Sequence, residues 1–313
     1  MKEELFVSGR NIPNIDPYLH IWHWQIPLYL YLGGLAAGIL FFASYYVIVG
    51  KEKQMQTTVK WATIIAPIAL ILGLGALFWD LKHKLYFWQL YTTVRFTSPM
   101  SWGAWTLMAI TPMSIIWVAS YMREMFPKWD WKFEFLKKFE AWVIKNRVPF
   151  AWVMMALSII LGVYTGILLS AFNARPLWNT SILGPLFLTS GFSTGLAAII
   201  WLSKDEHERK ALSRIDLIFI LVELFLIIHL FMGFLASSEV KAEAASLFLG
   251  GEFTVIFWVF VVILGLVFPV ILESLELRGY HIPAWLPPFL VLLGGLVLRF
   301  VMVEAGQITR FLY

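Results

Sequence analysis

Two histidines, an aspartate and a tyrosine stand beside aromatic runs in the first half of the sequence. His20 and His23 flank a tryptophan, Asp80 follows another, Trp102 opens a third run, and Tyr164 lies further on. Imidazole has an unperturbed pKa of about 6.5 and can exchange protons near neutral pH. A phenol donates hydrogen bonds, and aromatic rings form apolar walls. These residues fit a flat apolar ligand with polar ends, such as a quinone. An interfacial aromatic belt accounts equally for the tryptophans, but not for the polar residues beside them.

A second group of ionisable residues lies within apolar sequence of the second half. Asp216 and Glu223 are seven residues apart, so they share nearly one helix face, and Arg299 lies in the last apolar stretch. A charge at mid-membrane is unfavourable by about 2.5–3.5 kcal/mol on insertion scales, which makes each one a functional candidate. Two interpretations stay open: a proton route, or a Glu223–Arg299 pair that only neutralises itself. For Asp216 we expect a solvated helix end, and for His229 a hydrogen-bonded core histidine.

Composition assigns the chain to the integral membrane proteins. Of its 313 residues, 60% are hydrophobic and 14% charged, against about 25% charged in soluble domains. The absence of cysteine excludes thiolate-bound iron–sulfur clusters and covalently attached haem in this protein. Only His229 lies well inside a span, so we expect no bis-histidine haem and no metal site. The net charge is +4, but in a membrane protein the placement of the charges in the loops matters more than their sum. The expected surroundings are the lipid bilayer, and no nucleic-acid partner is expected.

The predicted fold is an all-α integral membrane bundle of about eight transmembrane helices. Each predicted span approaches or reaches the length of about 20 apolar residues that a bilayer requires. The predicted spans are 27–50, 61–79, 102–122, 148–171, 185–203, 214–236, 253–273 and 287–303.

Weak internal similarity predicts how these spans are grouped. Gly-Leu-Ala-Ala occurs at 34–37 and again at 195–198, each time after a Pro-Leu-aromatic-Leu run. A duplication would give a tail at 1–26 and two four-helix bundles at 27–171 and 172–313. Chance similarity between membrane helices explains the match equally well.

The distribution of basic residues predicts the orientation in the membrane. The loops on the side away from the N-terminus carry most of the 24 Lys and Arg residues, and such loops stay in the cytoplasm. Both termini are therefore expected outside the cytoplasm, in a bacterial or archaeal cytoplasmic membrane. Asp80, Trp102 and Tyr164 then fall at the outer ends of their spans, next to the segment that carries His20 and His23.

Three sequence motifs resemble those of the NrfD-type family, which includes the membrane subunit of polysulfide reductase. The run 22–38, Trp-His-Trp-Gln-Ile-Pro-Leu-Tyr-Leu-Tyr-Leu-Gly-Gly-Leu-Ala-Ala-Gly, is similar to the family's opening motif. Residues 98–105, Ser-Pro-Met-Ser-Trp-Gly-Ala-Trp, are similar to its span-three motif. Residues 163–166, Val-Tyr-Thr-Gly, are similar to its span-four motif.

The resemblance implies a haem-free subunit that exchanges electrons with membrane quinone, with menaquinone favoured over ubiquinone. It implies an extracytoplasmic iron–sulfur partner subunit, with a molybdopterin catalytic subunit beyond it. In the family's quinone site, a histidine before span one matches His23, the preceding polar residue matches His20, and a span-four tyrosine matches Tyr164. We assign Asp80 to proton exchange and Trp102 to the apolar wall.

The sequence departs from the family pattern at two places. The family's span-two motif continues Asp-Leu-Gly-Arg-Pro, whereas Asp80 and Leu81 are followed here by Lys-His-Lys, and His20 stands where relatives often have Asn. Two other functions stay open from the residues alone. Glu223 and the repeat would suit a secondary transporter or proton channel, and a passive anchor for a redox partner is the third interpretation.

Overall fold

The computed structural model describes residues 22–309, and these fold into helices without strands. Eight of the helices are long and apolar enough to cross a membrane. Helices are the expected form, because a helix satisfies its backbone hydrogen bonds internally where lipid offers none. The predicted all-α membrane protein with eight spans is therefore confirmed. In chain order the helices are α1 (Gln25–Ile48), α2 (Thr57–Asp80), α3 (Gln89–Thr92), α4 (Pro99–Met125), α5 (Glu134–Lys145), α6 (Arg147–Ser170), α7 (Leu183–Leu202), α8 (Glu206–Leu235), α9 (Glu239–Ser246), α10 (Ile256–Leu277) and α11 (Leu286–Ile308).

Helix α8 begins eight residues before the predicted span, at Glu206. Asp205 caps it by accepting a hydrogen bond from the backbone N–H of His207 at 3.1 Å, and acidic residues in the first turn favour a helix start. Asp216 is thus well inside the helix and fully buried. Our expectation of a solvated helix end for Asp216 is wrong.

The expected core position of His229 is also wrong, because α8 buries a different side. His229 is exposed on the outer surface of the bundle, where its Nδ1 lies 3.0 Å from the carbonyl oxygen of Phe225. The hydrogen bond predicted for this histidine is present, but it is made within its own helix.

Helices α1 and α7 lie at the centre of the molecule. Helix α1 contacts α2, α6, α7 and α11, while α7 also contacts α6, α8 and α11. Helix α1 forms one ring of contacts with α2, α4 and α6. Helix α7 forms a second ring with α8, α10 and α11. One hydrophobic core runs through both rings. The division into two bundles at residue 171 therefore stays a prediction.

Four glycines allow the backbones of α1 and α7 to touch. A Cβ atom on Gly38 would lie 2.5 Å from the carbonyl oxygen of Gly191, and one on Gly195 would lie 2.6 Å from the carbonyl carbon of Gly38. Gly34 likewise packs against Gly191. In lipid the hydrophobic effect does not drive helices together, because the lipid chains are as apolar as the side chains. Close packing of backbones through small residues drives helix association instead.

We expect Gly195→Ala to destabilise the protein, although alanine favours a helix. The added methyl group must push α1 and α7 apart, and overpacking of this kind costs about 1–3 kcal/mol. Gly233→Ala is the matched control, because a Cβ there meets no atom within 4 Å. Thermal unfolding in detergent should show a lower midpoint for Gly195→Ala and an equal or higher one for Gly233→Ala. Equal midpoints would contradict the close crossing.

The two ends of the bundle are distinguished by the helix ends that they carry. We name the end that carries Gln25 and Ile308 the first face, and the opposite end, which carries Ile48 and Thr57, the second face. At the second face, the Glu208 carboxylate accepts hydrogen bonds from the backbone N–H groups of Thr57 and Thr58 at 3.2 and 2.7 Å. This carboxylate satisfies donors at the start of α2 that the helix leaves free.

Candidate functional site

His23 lies at the first face, two residues before α1 begins, in a segment that is tied to α11. The backbone N–H of Trp22 donates to Gln307 Oε1 at 2.8 Å, and Gln307 Nε2 donates to the Trp22 carbonyl at 2.9 Å. The Trp22 ring stacks on Trp178 with centroids 5.2 Å apart. These contacts position His23. His20 lies outside the described residues.

The His23 side chain borders a cleft of about 350 Å³ between the start of α1 and the end of α11. On the α11 side, Glu304 and Gln307 bring polar groups to the cleft, and Phe300 and Val303 bring apolar ones. An imidazole and a carboxylate therefore border the same cleft. Together the two can bind and exchange a proton at this face.

Tyr164 lies on α6, with its ring buried against the backbone of α4. A Cβ atom on Gly103 would collide with the Tyr164 ring and hydroxyl, so glycine is required where the phenol crosses α4. Tyr164 is only 7% exposed. The Tyr29 side chain on α1 is near enough to interact electrostatically with it, yet the buried Tyr29 hydroxyl has no hydrogen-bond partner of good geometry. The two phenols thus lie side by side, and the Tyr29 hydroxyl has unused hydrogen-bonding capacity.

An apolar slot lies between α2 and the segment that carries α3. It has a volume of about 260 Å³, and Tyr91 of α3 is among its lining residues. Tyr91 interacts electrostatically with Tyr29. Burial raises the pKa of Tyr91 above its usual value, so its phenol remains a proton donor at neutral pH. The remaining lining residues are Leu74, Gly75, Leu77, Phe78, Leu81, Phe87 and Leu90.

Asp80 and Trp102 border the loop between α2 and α4. Asp80 ends α2 and is half-buried. The loop after it lines a separate cleft of about 490 Å³, whose basic lining residues are Lys82, His83 and Arg95. Trp102 is half-exposed, and its indole N–H donates to the Phe96 carbonyl at 2.9 Å. The indole N–H of Trp102 is therefore used to fix the loop between α3 and α4.

The structure thus separates the predicted site residues into neighbouring groups at the first face. Tyr164 meets Tyr29 next to Gly103, whereas His23 faces α11. Tyr29 itself was missed by the sequence reasoning. Its signal was present, because Gln25 and Tyr29 lie four residues apart on one side of α1 and both are buried.

Arg299 is buried where α1, α7 and α11 meet. Its Nη1 donates to Ser190 Oγ at 2.5 Å, and its Nη2 donates to the Phe187 carbonyl at 3.1 Å. No carboxylate among residues 22–309 lies within 4 Å of its guanidinium. Glu223 and Arg299 therefore form no direct ion pair, but they interact electrostatically, so both interpretations of this pair stay open. Ser190 lies between them and also interacts with Glu223.

The polar row continues from Glu223 towards the second face. Asp216 lies two turns nearer that face on α8, and its Oδ1 accepts a hydrogen bond from Ser193 Oγ at 2.7 Å. Ser190 and Ser193 lie three residues apart on α7, so they are stacked along the row. The second oxygen of Asp216 is buried without a partner.

Glu273 extends the row, and the sequence reasoning missed it because it stood at the predicted end of its span. It is fully buried on α10, and both carboxylate oxygens lack a hydrogen-bond partner. It interacts electrostatically with Asp216 and with Glu276. Glu276 accepts a hydrogen bond from Arg209 Nε at 2.9 Å, close to the second face. The row therefore runs from the second face to Arg299 in the bundle interior.

Comparison with known proteins places this arrangement in a family. The sequence profile of the family described as Polysulphide reductase, NrfD, matches residues 14–311. A component of the polysulfide reductase of Wolinella succinogenes is 33% identical over 303 residues, covering 92% of this protein and 94% of its own length. Protein NrfD of Escherichia coli is 32% identical over 306 residues, covering 92% and 96%.

A more distant relative is a component of the selenate reductase of Mesobacillus selenatarsenatis. It is 24% identical over 321 residues, which cover 92% of this protein and 74% of the relative. The motifs in 22–38, 98–105 and 163–166 agree with these matches, which extend across all eight spanning helices. This chain belongs to the NrfD polysulphide reductase family of membrane proteins.

Proposed function

We propose that this protein is the quinone-reactive membrane subunit of a reductase complex. The observation that carries the proposal is the buried Tyr164–Tyr29 pair, in which the Tyr29 hydroxyl has no hydrogen-bond partner of good geometry, together with an apolar slot whose lining residue Tyr91 interacts with Tyr29. Relatives named as parts of polysulfide and selenate reductases support membership of such a complex. A bound quinol, menaquinol by preference, would supply electrons and protons. The receiving group would be an iron–sulfur subunit on the extracytoplasmic side, with a molybdopterin catalytic subunit beyond it.

The residues of the protein would bind the ligand and move its protons. Tyr164, with Tyr29 beside it, donates a hydrogen bond to one carbonyl oxygen of the ligand, and His23 with His20 holds the other end. Phenol and imidazole fit a ligand whose polar atoms are carbonyl or hydroxyl oxygens. Asp80, at the rim of the first face, exchanges protons with the outside, and the Trp102 ring covers the apolar part.

The buried row supplies a path for protons between the second face and the site. Glu273, Asp216 and Glu223 present carboxylates at successive depths, with Ser193 and Ser190 between them. Charged groups inside a membrane are unfavourable and mark ion or proton routes. We propose that the row moves protons during turnover, with both termini outside the cytoplasmic membrane. Arg299 ends it, holding a positive charge towards the site.

Extraction of lipids from the purified complex tests quinone binding. We expect menaquinone or ubiquinone to co-purify in an amount comparable to that of the protein. We also expect added quinol to reduce the partner subunit. A complex that contains no quinone and whose partner is not reduced by quinol would refute the proposal, and would favour an anchor or a transporter.

We expect Glu273→Gln to raise thermal stability while it lowers proton movement. A buried carboxylate without a partner costs about 1–3 kcal/mol of folding free energy, and more when it is charged, whereas an amide of the same shape never carries that charge. A residue kept at that cost has a role that stability does not explain. The midpoint of thermal unfolding and the proton uptake per quinol oxidised should therefore change in opposite directions. A variant that is less stable would show that Glu273 has a structural partner.

A further inference from the structure

Helix α5 presents a stripe of aromatic rings that the described part of the protein leaves uncovered. Phe135, Phe139 and Trp142 are 73%, 38% and 58% exposed. They are spaced four and three residues apart, so they share one side of the helix. Their rings stack in succession, with centroids 6.3 and 6.1 Å apart. A contiguous apolar surface of this kind indicates an interaction site.

An adjoining side of α5 is fixed to the bundle. Val143 and Glu140 are buried, and the Glu140 carboxylate lies 3.0 Å from Arg123 Nε of α4. A single residue, Asn146, separates α5 from α6. The helix is therefore held at the second face, beside the ends of two spanning helices, and its aromatic stripe points away from the protein.

Unneutralised lysines accompany the stripe. Lys138 and Lys145 lie four residues before and three residues after Trp142, so they flank it on the helix surface. Both are exposed, and neither has a carboxylate within ion-pair distance among the described residues. Lys128 and Lys132 in the preceding loop share these properties. Lys137, by contrast, is neutralised by Asp130 at 2.6 Å.

We propose that α5 is a binding site for anionic phospholipid, lying in the headgroup layer of the membrane. The aromatic stripe enters the boundary of the acyl chains, and Lys138 and Lys145 contact headgroup phosphates beside it. Amphipathic helices with aromatic rings on one side and lysines around them bind membranes in this way. A partner protein would be expected to present carboxylates and to cover the rings. The position of α5 at the level of the helix ends favours lipid.

The depth of the stripe can be measured directly, because the sequence has no cysteine. A spin label on Phe139→Cys is compared with one on Ala141→Cys, two residues on and on the opposite side of α5. The full-length protein is reconstituted in vesicles of phosphatidylcholine and phosphatidylglycerol. We expect the label at 139 to collide mainly with oxygen and the label at 141 mainly with a water-soluble nickel complex. Equal access to nickel at both positions would overturn the proposal. A label at 139 shielded from both reagents would show that protein covers the stripe, which also overturns it.

Charge reversal tests the lipid headgroup. The double variant Lys138→Glu, Lys145→Glu is compared with Lys51→Glu, Lys53→Glu, which reverses two exposed lysines of another loop at the same face. A lysine near an anionic membrane surface contributes about a fivefold preference for binding anionic over neutral lipid. We expect the preference for retaining phosphatidylglycerol over phosphatidylcholine, measured by native mass spectrometry, to fall at least about tenfold in the first variant only. Equal retention in both variants would overturn the assignment.

Discussion

Replacing Tyr164 with Phe should lower the rate of quinol oxidation about 100-fold while leaving the complex assembled. The phenylalanine ring keeps its place over Gly103, so only the hydroxyl is lost. The hydroxyl would accept a hydrogen bond from the quinol and relay its proton as the electrons leave, and a positioned proton-transfer group contributes about 10²–10⁴-fold to a rate. The measurement is quinol-dependent reduction of the partner subunit by the purified complex, with kcat and KM determined separately. A rate within about twofold of the wild type would remove Tyr164 from the site.

Tyr121→Phe is the matched control for the loss of a buried phenol. Tyr121 is fully buried and its hydroxyl also lacks a partner, but it lies near the second face, where Arg147 packs 3.8 Å above its ring. We expect Tyr121→Phe to oxidise quinol at the rate of the wild type. Gly103→Ala is a companion variant, because its methyl group must displace the Tyr164 ring without removing the hydroxyl. A similar loss in Gly103→Ala and Tyr164→Phe would show that the position of the phenol matters.

Glu223→Gln should abolish the electrogenic part of turnover while electron transfer continues. The amide keeps the shape of the side chain and its contact with Ser190, but it cannot release a proton. In proteoliposomes, quinol oxidation by the variant should generate no membrane potential beyond what release at the outer face produces. Quinol oxidation itself should stay within about twofold of the wild type.

Glu206→Gln controls for the loss of one carboxylate from α8. Glu206 is exposed at the second face, where it pairs with Lys210 at 2.6 Å. Its membrane potential should equal that of the wild type. A full membrane potential in Glu223→Gln would show that protons take another route. A loss of quinol oxidation together with the potential would place Glu223 in the quinone site itself.

Asp216→Asn tests whether the row acts as a unit. The amide still accepts a hydrogen bond from Ser193, so the local packing is retained. If protons pass through Asp216 and Glu223 in sequence, the double variant Asp216→Asn, Glu223→Gln should lose as much membrane potential as either single variant. Additive losses would indicate two separate paths.

The eight spans follow from the sequence because hydropathy is a local property. About 20 apolar residues in a row must form a helix wherever they meet lipid, whatever their neighbours are. The boundaries were less well predicted. The polar start of α8 belongs to the helix although its residues lie outside the apolar stretch, since Asp205 caps it and acidic residues follow.

The neighbours of each helix depended on contacts between distant parts of the sequence. Gly38 and Gly195 are far apart in the sequence, and their approach places α1 beside α7, while the packing of α11 on α7 places Arg299 beside Ser190. Burial of Asp216 followed from the same packing, as did the grouping of Glu273 with it.

Composition and hydropathy were enough to predict a membrane protein of eight helices, with histidine, tyrosine and aromatic residues at one end. The motifs at 22–38, 98–105 and 163–166 were sufficient to identify the family. Three features became evident only from the packing of the helices: the Tyr164–Tyr29 pair, the cleft between His23 and α11, and the row of three buried carboxylates. The reason is physical: the length and apolarity of a segment fix that it spans a membrane, whereas the partner of a polar side chain depends on which helix packs beside it.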